Sequence, residues 1–493
     1  MHEPLYRPSL ATLTDLYQLT MAAAYHATGR DRDQAVFHLF FRRPPFGSGF
    51  TLAAGLGEVV RFLRTFKYSD DDLTYLADLR GNAGKRLFEP GFIEHLSTLE
   101  PGLGLDLDAV PEGTVVFPYE PLLRVRGSLL AAQIVETALL NLVNFPTLVA
   151  TNAARVVLAA GGDSVLEFGL RRAQGPDGGL SASRAAFLGG CEATSNVLAG
   201  RLYGIPVRGT HAHSWILSFS DEQEAMDTWA EVQPQNTVLL VDTFETLDGV
   251  RRAIETGKRM RAEGNELDGI RLDSGDLAYL SREARRMLDE AGFPKARIVA
   301  SSDLDPETIA SLREQGAAVD TWGVGTRLVT AYDQPALGGV YKLAAVRRDP
   351  SEEWRMTVKV SADADKTTVP GILGTRRFYD QGGRAAADMI YDTAADVAPG
   401  DVVVDPVNAR RRKSIDPSWQ QEELLVPTLR DGELVTDLPD LATSRARAQE
   451  QLARFHPGVL RRLNPHRYPA GLDVSLHRRR ESLVEAALDG RIG

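Results

Sequence analysis

The feature that most constrains the fold is an alternation of short apolar runs with longer amphipathic stretches between residues 164 and 326. The runs are SVLEFG, PVRGTHAH, TVLLVDTF, GIRLDSGD, RIVASSDL and VDTWGVGT, which begin at residues 164, 206, 237, 269, 297 and 319. Stretches of helical length lie between them: SRAAFLGGCEATSNVLAGRLYG, LDGVRRAIETGKRMRAEG, LAYLSREARRMLDEAGF and DPETIASLREQG. This pattern predicts parallel strands joined by helices. Periodicity alone does not distinguish a (β/α) barrel from an open doubly wound sheet.

Helix and strand signals also divide the rest of the chain. TDLYQLTMAAAYHATG is helical in pattern and QAVFHLFFRR is strand-like, which predicts an α+β domain over residues 1–125. The barrel or sheet domain would occupy 126–345. MTVKVSA and DVVVDPV indicate a mixed, β-rich module over 346–440, and 441–493 reads as a helical segment that returns to the first domain. Within the repeating region, Asp305 is suited to cap a helix that begins at Pro306, with Gly316 at its end.

Composition excludes several classes of protein. The 493 residues are 43% apolar, enough for two or three domains, and no apolar run approaches the roughly 20 residues of a membrane-spanning helix. The N-terminus lacks a signal-peptide pattern, so we expect a cytoplasmic protein. A single cysteine, Cys191, rules out a disulfide framework and a cysteine-based zinc site. The net charge of −11 argues against nucleic-acid binding but permits local pockets for small anions.

The segment RGTHAHSW, residues 208–215, carries two histidines at what reads as the end of a buried strand. Residues i and i+2 on a strand face the same side, so His211 and His213 could bind one metal ion. The other seven histidines lie on none of the later strands of the repeating region, which disfavours a metal site. Covalent chemistry by one of the pair and simple packing both stay open.

The segment IRLDSGD places two carboxylates around Ser274 and Gly275 at a strand end. Asp273 and Asp276 could accept hydrogen bonds from sugar hydroxyls or bind Mg²⁺, and Arg271 lies on the same side of the strand as Asp273. The alternative is an Asx turn with a helix cap, which the same residues would form.

Two glycine-containing loops are candidate phosphate sites. Gly323, Gly325 and Thr326 in DTWGVGTRLVT could present backbone N–H groups and a hydroxyl to a phosphate. Gly338 and Gly339 in LGGVYKL fit either an anion contact or a plain turn.

A pair of arginines in FGLRRAQGPDGG, Arg171 and Arg172, suits a carboxylate or pyrophosphate ligand, or equally salt bridges to neighbouring acids. Other nucleotide-binding signatures are missing. The sequence has no P-loop, GLGEVV lacks the third glycine of a dinucleotide fingerprint, and VLLVDTF carries a single acid, Asp242, without the loop of the common sheet-type phosphoribosyltransferases.

TDLYQLTMAAAYH, FGLRRAQGPDGG, GTHAHSW, RLDSGD, GVGT and GGVYKL occur in this order between about residues 12 and 343, and together they resemble nicotinate phosphoribosyltransferases. The resemblance implies an irregular (β/α) barrel with a flanking α+β domain and a C-terminal extension. It also implies a homodimer with shared active sites. The reaction would convert nicotinate and 5-phosphoribosyl 1-pyrophosphate to nicotinate mononucleotide and pyrophosphate in NAD salvage. ATP would be the co-substrate, Mg²⁺ the cofactor, and His213 a phosphohistidine.

The same resemblance implies roles for individual residues. Asp273 would hold the ribose hydroxyls, with the remaining substrate contacts supplied by Thr210, Arg271, Ser274 and Asp276. The 5-phosphate would lie against Gly323, Gly325, Thr326, Gly338 and Gly339. Arg171 would pair with the nicotinate carboxylate, although Arg172 is equally cationic, and Tyr17 would stack on the pyridine ring.

Three alternatives remain at this point. The first is an enzyme of the same superfamily that uses nicotinamide or quinolinate. The second is a phosphate-binding barrel without catalytic activity. The third is the metal hydrolase suggested by the histidine pair. Residues after about 350 match no motif of the family that we can assign one by one.

Overall fold

A computed structural model of the chain describes residues 9–393 and 402–490. The chain forms two compact units: one contains residues up to Thr147 and from Ala336 onward, and the other runs from Leu148 to Pro335. The predicted domain boundaries at 125, 345 and 440 remain predictions. Most of the N-terminal stretch examined for a signal peptide, and Asp401 of the predicted strand DVVVDPV, lie outside the described residues.

The first part of the first unit contains the helix and the strand predicted there. Its helices are α1 (Leu16–Ala27), α2 (Leu56–Arg64), α3 (Asp70–Asp78), α4 (Pro90–Ser97), α5 (Leu129–Ile134) and α6 (Glu136–Ala160), the last of which continues into the second unit. Its strands are β1 (Gln34–Phe41), β2 (Thr51–Leu52), β3 (Asp106–Ala109), β4 (Val115–Val116) and β5 (Leu123–Ser128). The helix predicted from TDLYQLTMAAAYHATG is α1 and the strand predicted from QAVFHLFFRR is β1, so both predictions are confirmed.

Helix α6 is the one described helix that is long and apolar enough to cross a membrane by length and composition. No apolar segment of this length was expected from the sequence. Within the protein 67% of its apolar window is buried, as is typical of a core helix.

The second unit is built on one parallel sheet. Its strands are β6 (Ser164–Glu167), β7 (Ala193–Thr194), β8 (Val238–Leu240), β9 (Gly269–Leu272), β10 (Arg297–Ser301) and β11 (Thr321–Val324), in the order β7-β6-β11-β10-β9-β8. Its helices are α7 (Gly175–Leu188), α8 (Val197–Tyr203), α9 (His213–Leu217), α10 (Glu222–Val232), α11 (Thr246–Ala262), α12 (Leu277–Glu290), α13 (Pro306–Glu314) and α14 (Thr326–Val329). The predicted α/β class is confirmed.

Two local predictions in this unit are wrong. The single helix predicted over 183–204 is divided into α7, β7 and α8 because the chain turns at Gly189 and Gly190. A Cβ at Gly189 would lie 2.4 Å from the carbonyl oxygen of Ala150, and Gly190 has φ +115°. The strand predicted over 206–213 forms only an isolated bridge at Val207, and His213 instead begins α9.

This irregularity lies between the two edge strands of the parallel sheet. In the described chain no backbone ladder joins residues 206–213 to β8. The imidazole Nε2 of His211 instead accepts a hydrogen bond from the backbone N–H of Leu240, at 3.2 Å. A side chain thus satisfies a donor that a regular barrel would pair with backbone, and the domain is barrel-like but irregular.

The other helices predicted in the repeating region are confirmed. Helices α11, α12 and α13 correspond to the predicted amphipathic segments. Asp305 caps α13, accepting from the N–H of Thr308 at 2.6 Å, and Pro306 is the first helical residue. Gly316 follows the helix with φ +76°, the left-handed conformation that suits glycine after a helix end.

The remainder of the first unit is mostly antiparallel. Its strands are β12 (Gly339–Arg347), β13 (Arg355–Met356), β14 (Leu373–Tyr379), β15 (Ala385–Asp392), β16 (Val402–Val404), β17 (Arg412–Ser414), β18 (Gln420–Glu423), β19 (Val426–Arg430), β20 (Glu433–Leu434) and β21 (Ala470–Asp473), with helices α15 (Leu441–Ala453) and α16 (Val474–Leu488). They complete a sheet ordered β13-β12-β1-β5-β3-β19-β20 and form another ordered β17-β16-β21-β15-β14-β18. Of the predicted strand MTVKVSA, only Met356 is in a strand.

Candidate active site

Polar side chains gather where neighbouring strands of the parallel sheet end. Asp242 comes two residues after β8, Asp273 directly follows β9, and Ser301 is the last residue of β10. Because parallel strands point the same way, their carboxyl ends meet at one edge of the sheet. The ladder between β10 and β11 also places Ser301 beside Gly323. The structure thus brings together residues that are up to 81 positions apart (323 minus 242).

Asp273 is at the centre of this cluster. Its Oδ1 accepts hydrogen bonds from the Arg271 guanidinium, at 2.6 Å, and from the Ser301 hydroxyl. Burial opposes ionisation of Asp273, but the Ser301 hydroxyl and the Arg271 charge outweigh it and lower the pKa of this carboxyl below its usual value. The group is therefore a carboxylate at neutral pH, in position to stabilise positive charge.

Arg271 is held on three sides. Besides Asp273, it donates to Ser301 Oγ at 2.9 Å and to Thr210 Oγ1 at 3.2 Å, and its side chain is 16% exposed. Thr210 and Arg271, each predicted separately to contact the substrate, are thus in contact with one another. A guanidinium with this many partners is preorganised, and its bond to Asp273 holds that carboxylate in place.

Asp242 belongs to the cluster, although its position in the sequence predicted no role in a site. Its Oδ2 accepts from the backbone N–H of Asp273 at 2.9 Å and from the Ser274 hydroxyl at 2.6 Å. Its Oδ1 is buried and has no hydrogen-bond partner among the described residues. A buried carboxylate oxygen without a partner is costly, and this is typical of a site that awaits a ligand. The sequence feature that could have indicated a role for Asp242 is an acidic residue directly after an apolar run.

His213 lies beside this cluster with an accessible ring. Its Nδ1 is 3.1 Å from the Thr243 hydroxyl, and its Nε2 is 3.9 Å from Oδ2 of Asp273. The side chain is 42% exposed. One ring nitrogen is therefore oriented by a hydroxyl while the other faces the carboxylate and solvent.

His211 has a different environment from His213. It is buried, its ring centroid is 4.9 Å from that of Trp229, and burial lowers its pKa to about 4. It is a neutral imidazole that accepts the Leu240 N–H bond. Among the described residues, no cluster with metal-ligand geometry includes either His211 or His213, so the structure offers no support for the metal-hydrolase alternative.

Asp276 occupies the helix-cap position that the alternative interpretation of DSGD predicted. Its carboxylate accepts from the N–H of Tyr279 at 3.0 Å and caps α12. The turn is formed with Gly275 at φ +81°. Asp276 is exposed, so capping leaves carboxylate surface accessible to a ligand.

The two glycines of GVGT differ in what packing requires of them. A Cβ at Gly323 would come within 2.9 Å of the Phe168 ring, so packing alone requires a glycine there. At Gly325 a Cβ would meet nothing closer than 3.6 Å, so packing does not require a glycine at this position. Gly325 precedes the single turn α14, which begins at Thr326 and whose first N–H groups lack helical acceptors.

Arg171 and Arg172 lie in the short 3₁₀ turn Leu170–Arg172 after β6. Both are exposed, and neither forms an ion pair with another described residue. The salt-bridge alternative for them is therefore not supported. Just before the turn, the buried carboxylate of Glu167 accepts from Ser183 at 2.9 Å and from the N–H of Gly169, which holds the turn in place.

Three predicted site residues belong to the first unit. Tyr17 lies on α1 and is 50% exposed, and burial together with Glu136 and Asp15 raises its pKa, so the phenol is neutral. Gly338 has φ +72° at the turn before β12. A Cβ at Gly339 would lie 2.1 Å from Oδ1 of Asn144, so this glycine has a packing role.

A parallel α/β sheet whose strand ends carry carboxylates, hydroxyls, a held arginine and an accessible histidine is typical of the active site of an α/β enzyme. Comparison with models of known protein families identifies the enzyme family. The nicotinate phosphoribosyltransferase N-terminal domain matches residues 12–144, the nicotinate phosphoribosyltransferase family 164–379, and the C-terminal domain of that enzyme 375–480. The chain belongs to the nicotinate phosphoribosyltransferase family and is an enzyme of pyridine nucleotide biosynthesis.

Individual relatives agree with this family. The chain is 42% identical to nicotinate phosphoribosyltransferase of Bacillus subtilis, covering 94% of this chain and 93% of the relative. It is 39% identical to the Homo sapiens enzyme over 97% of both chains. The crystal structure of human nicotinic acid phosphoribosyltransferase superposes with a TM-score of 0.81, covering 95% of this chain and 99% of that one. The resemblance inferred from sequence motifs is thus confirmed.

Proposed function

We propose that this enzyme transfers the 5-phosphoribosyl group of 5-phosphoribosyl 1-pyrophosphate to nicotinate, and that ATP drives the transfer through phosphorylation of His213. The family and its activity rest on the comparisons above. The observation that supports the ATP step is the environment of His213: an exposed imidazole with one nitrogen at Thr243 and the other near Asp273. No other histidine of the second unit is accessible, since His211 is buried.

In the ATP step, a ring nitrogen of His213 attacks the γ-phosphorus. The new N–P bond forms as the bond from that phosphorus to the β,γ-bridging oxygen breaks, and ADP leaves. Thr243 contacts Nδ1, so we propose that Nε2 is the nucleophile. Water later cleaves the N–P bond and releases phosphate. Because the phosphoryl group is carried on a side chain, the lack of a P-loop is no obstacle.

In the transfer step, pyrophosphate departs from the anomeric carbon and the ring nitrogen of nicotinate bonds to it. The ribose acquires oxocarbenium character, which a nearby ionised carboxylate stabilises. Asp273 is ionised and held by Arg271 and Ser301, so it fits this role and that of a ribose-hydroxyl acceptor. Ser274 and Asp276 follow it directly and would complete the ribose contacts, and Thr210 supports Arg271.

Mg²⁺ is the cofactor that the family implies, and the donor set suits it. Asp242 has a buried oxygen that is unpaired among the described residues and lies next to the ionised Asp273, and Mg²⁺ prefers carboxylate oxygens together with water and phosphate oxygens. These two residues would hold the ion. When bound, it would neutralise charge on the substrate phosphates.

The remaining substrate contacts follow from the family motifs. Arg171 would pair with the nicotinate carboxylate, with the equally exposed Arg172 as the alternative, and Tyr17 would stack on the pyridine ring. The 5-phosphate would bind at Gly325 and Thr326, where packing does not require glycine and N–H groups are free of helical acceptors. Gly323, Gly338 and Gly339 would border that site.

A homodimer in the cytoplasm is the expected state of the enzyme. Helix α8 supports an interface because Val197, Leu198 and Leu202 are 71%, 49% and 56% exposed, and a cluster of apolar side chains on a surface is typical of a contact. If Tyr17 reaches the active site of the partner subunit, mixing a His213→Ala chain with a Tyr17→Ala chain would restore part of the activity, because one site of the mixed dimer would keep both residues. Two inactive parents and an inactive mixture, with subunit exchange demonstrated, would contradict sharing.

The decisive experiment is incubation with γ-labelled ATP followed by stability tests of the protein-bound phosphate. We expect an acid-labile, base-stable label that is lost in His213→Ala. The matched control is His466→Ala, because His466 is exposed and lies in the first unit. Label that persists in folded His213→Ala would refute the assignment. Competition kinetics with nicotinate, nicotinamide and quinolinate test the substrate, and a preference for either of the last two would overturn it.

A further inference from the structure

Two histidines and an aspartate converge in the first unit, and none of the three is among the residues assigned above. His26 is in the last turn of α1, Asp31 is in the connection to β1, and His95 is in the last turn of α4. Oδ2 of Asp31 is 3.6 Å from His26 Nδ1 and 3.9 Å from His95 Nε2. The two imidazole rings are stacked, with centroids 4.6 Å apart and planes inclined by 22°.

Ordinary hydrogen bonding does not account for this arrangement. His26 Nδ1 is a buried atom without a hydrogen-bond partner among the described residues. In the described chain no lysine or arginine forms an ion pair with Asp31, and the adjacent Arg30 pairs with Asp33 at 3.0 Å instead. Two imidazole nitrogens therefore face one carboxylate that pairs with no lysine or arginine of residues 9–393 and 402–490.

We propose that His26, Asp31 and His95 bind one divalent transition-metal ion of the Zn²⁺ type, with water completing the coordination. The three ligand atoms lie within 4.8 Å of one another. Ligand bonds of about 2.0–2.2 Å in tetrahedral geometry place such atoms roughly 3.3–3.6 Å apart, so modest side-chain movement suffices. Imidazole nitrogens favour zinc and its neighbours over Mg²⁺ or Ca²⁺.

The protonation and exposure of the cluster suit metal binding. Burial and the neighbouring His26 lower the pKa of His95, which keeps its imidazole in the neutral form that coordinates metal. The side chains of His26, His95 and Asp31 are 32%, 24% and 13% exposed, which leaves access for the ion and for a water ligand.

A metal here would join α1, α4 and the segment before β1. Helix α1 buries only Gln18, Leu19 and Ala22, so few side chains hold it. Binding to the folded chain alone raises its stability, and α1 would be the element that gains most. The ion would thus be structural, and it uses none of the residues proposed for phosphoribosyl transfer.

The test is Zn²⁺ and Co²⁺ titration of full-length enzyme that has been treated with a chelator. We expect one equivalent of Zn²⁺ per chain to raise the unfolding midpoint, and Co²⁺ to produce d–d absorption bands typical of nitrogen and oxygen ligands. His95→Gln should lower the affinity at least about 100-fold, because loss of outer-shell partners alone costs roughly 10- to 100-fold. Asp31→Asn should behave similarly.

Two controls separate this site from others. His466→Gln removes an exposed histidine elsewhere and should bind Zn²⁺ as the unaltered protein does. His213→Gln should also retain the equivalent of zinc, which separates the site from the proposed catalytic centre. Circular dichroism in chelator establishes that each variant is folded. Absence of stoichiometric binding, or equal affinity in folded His95→Gln and Asp31→Asn, would overturn the proposal.

Discussion

Replacing His211 with phenylalanine should change how the stability of the enzyme depends on pH. Phenylalanine keeps an aromatic ring against Trp229, but it neither accepts the Leu240 N–H bond nor takes up a proton. At neutral pH the main effect is a buried N–H group without a partner, which costs about 1–3 kcal/mol. His211→Phe should therefore be the less stable protein at pH 7.5.

The pH dependence follows from the pKa of His211, which burial lowers from 6.5 to about 4. As the pH falls, the unfolded chain takes up the proton first, so protonation favours unfolding. The contribution is fully present above pH 6.5 and is lost as the pH falls toward about 4. Between pH 7.5 and 5, one group with these values removes about 2 kcal/mol from the free energy of unfolding.

The variant lacks this loss, so its disadvantage at pH 7.5 should shrink by about 2 kcal/mol at pH 5. Urea unfolding at both pH values, followed by tryptophan fluorescence and circular dichroism at one protein concentration, measures the difference. The exposed His466→Gln serves as the control and should follow the unaltered protein. Parallel stability curves for His211→Phe and the unaltered enzyme would refute the assignment of His211 as a buried neutral acceptor.

Three further predictions concern the second unit. Asp273→Asn should lower kcat by on the order of 100-fold or more, since it removes the charge proposed to stabilise the ribose, and steady-state kinetics with intact circular dichroism would show this. Gly323→Ala should destabilise the protein by about 1–3 kcal/mol in urea unfolding, because a Cβ would press against the Phe168 ring at 2.9 Å. Arg171→Ala should raise the KM for nicotinate about 10- to 100-fold. A rise of that size or larger in Arg172→Ala alone would indicate that Arg172, and not Arg171, pairs with the nicotinate carboxylate.

Most of the second unit was predictable because its signals are local. Each of β6, β8, β9, β10 and β11 is a short apolar run, and helices α11 to α13 have continuous amphipathic patterns. The predictions for this unit were wrong where contacts between residues distant in the sequence determine the backbone conformation. Gly189 ends a helix because Ala150 packs against it, and the segment before His213 leaves the strand pattern while a histidine side chain takes the place of a ladder bond.

The candidate site divides in the same way. His213, Asp273, Arg271 and Thr210 were identifiable from motifs, because each stands beside residues typical of strand ends and of the family. Asp242 was not, since its significance is the buried oxygen without a partner that appears only once β8 and β9 lie side by side. The cluster of His26, Asp31 and His95 gave no signal either, because its last two members are 64 positions apart in the sequence (95 minus 31).

By itself the sequence determined the α/β class, the family, and the order of the motifs along the chain, since these depend on local periodicity and on residue identity. Only the tertiary structure decided which of two neighbouring histidines is accessible. His211 is buried as a neutral hydrogen-bond acceptor and His213 is exposed beside Thr243 and Asp273. The physical reason is that burial and hydrogen-bond partners come from strands that are distant in the chain, and these environments give two identical side chains different chemistry.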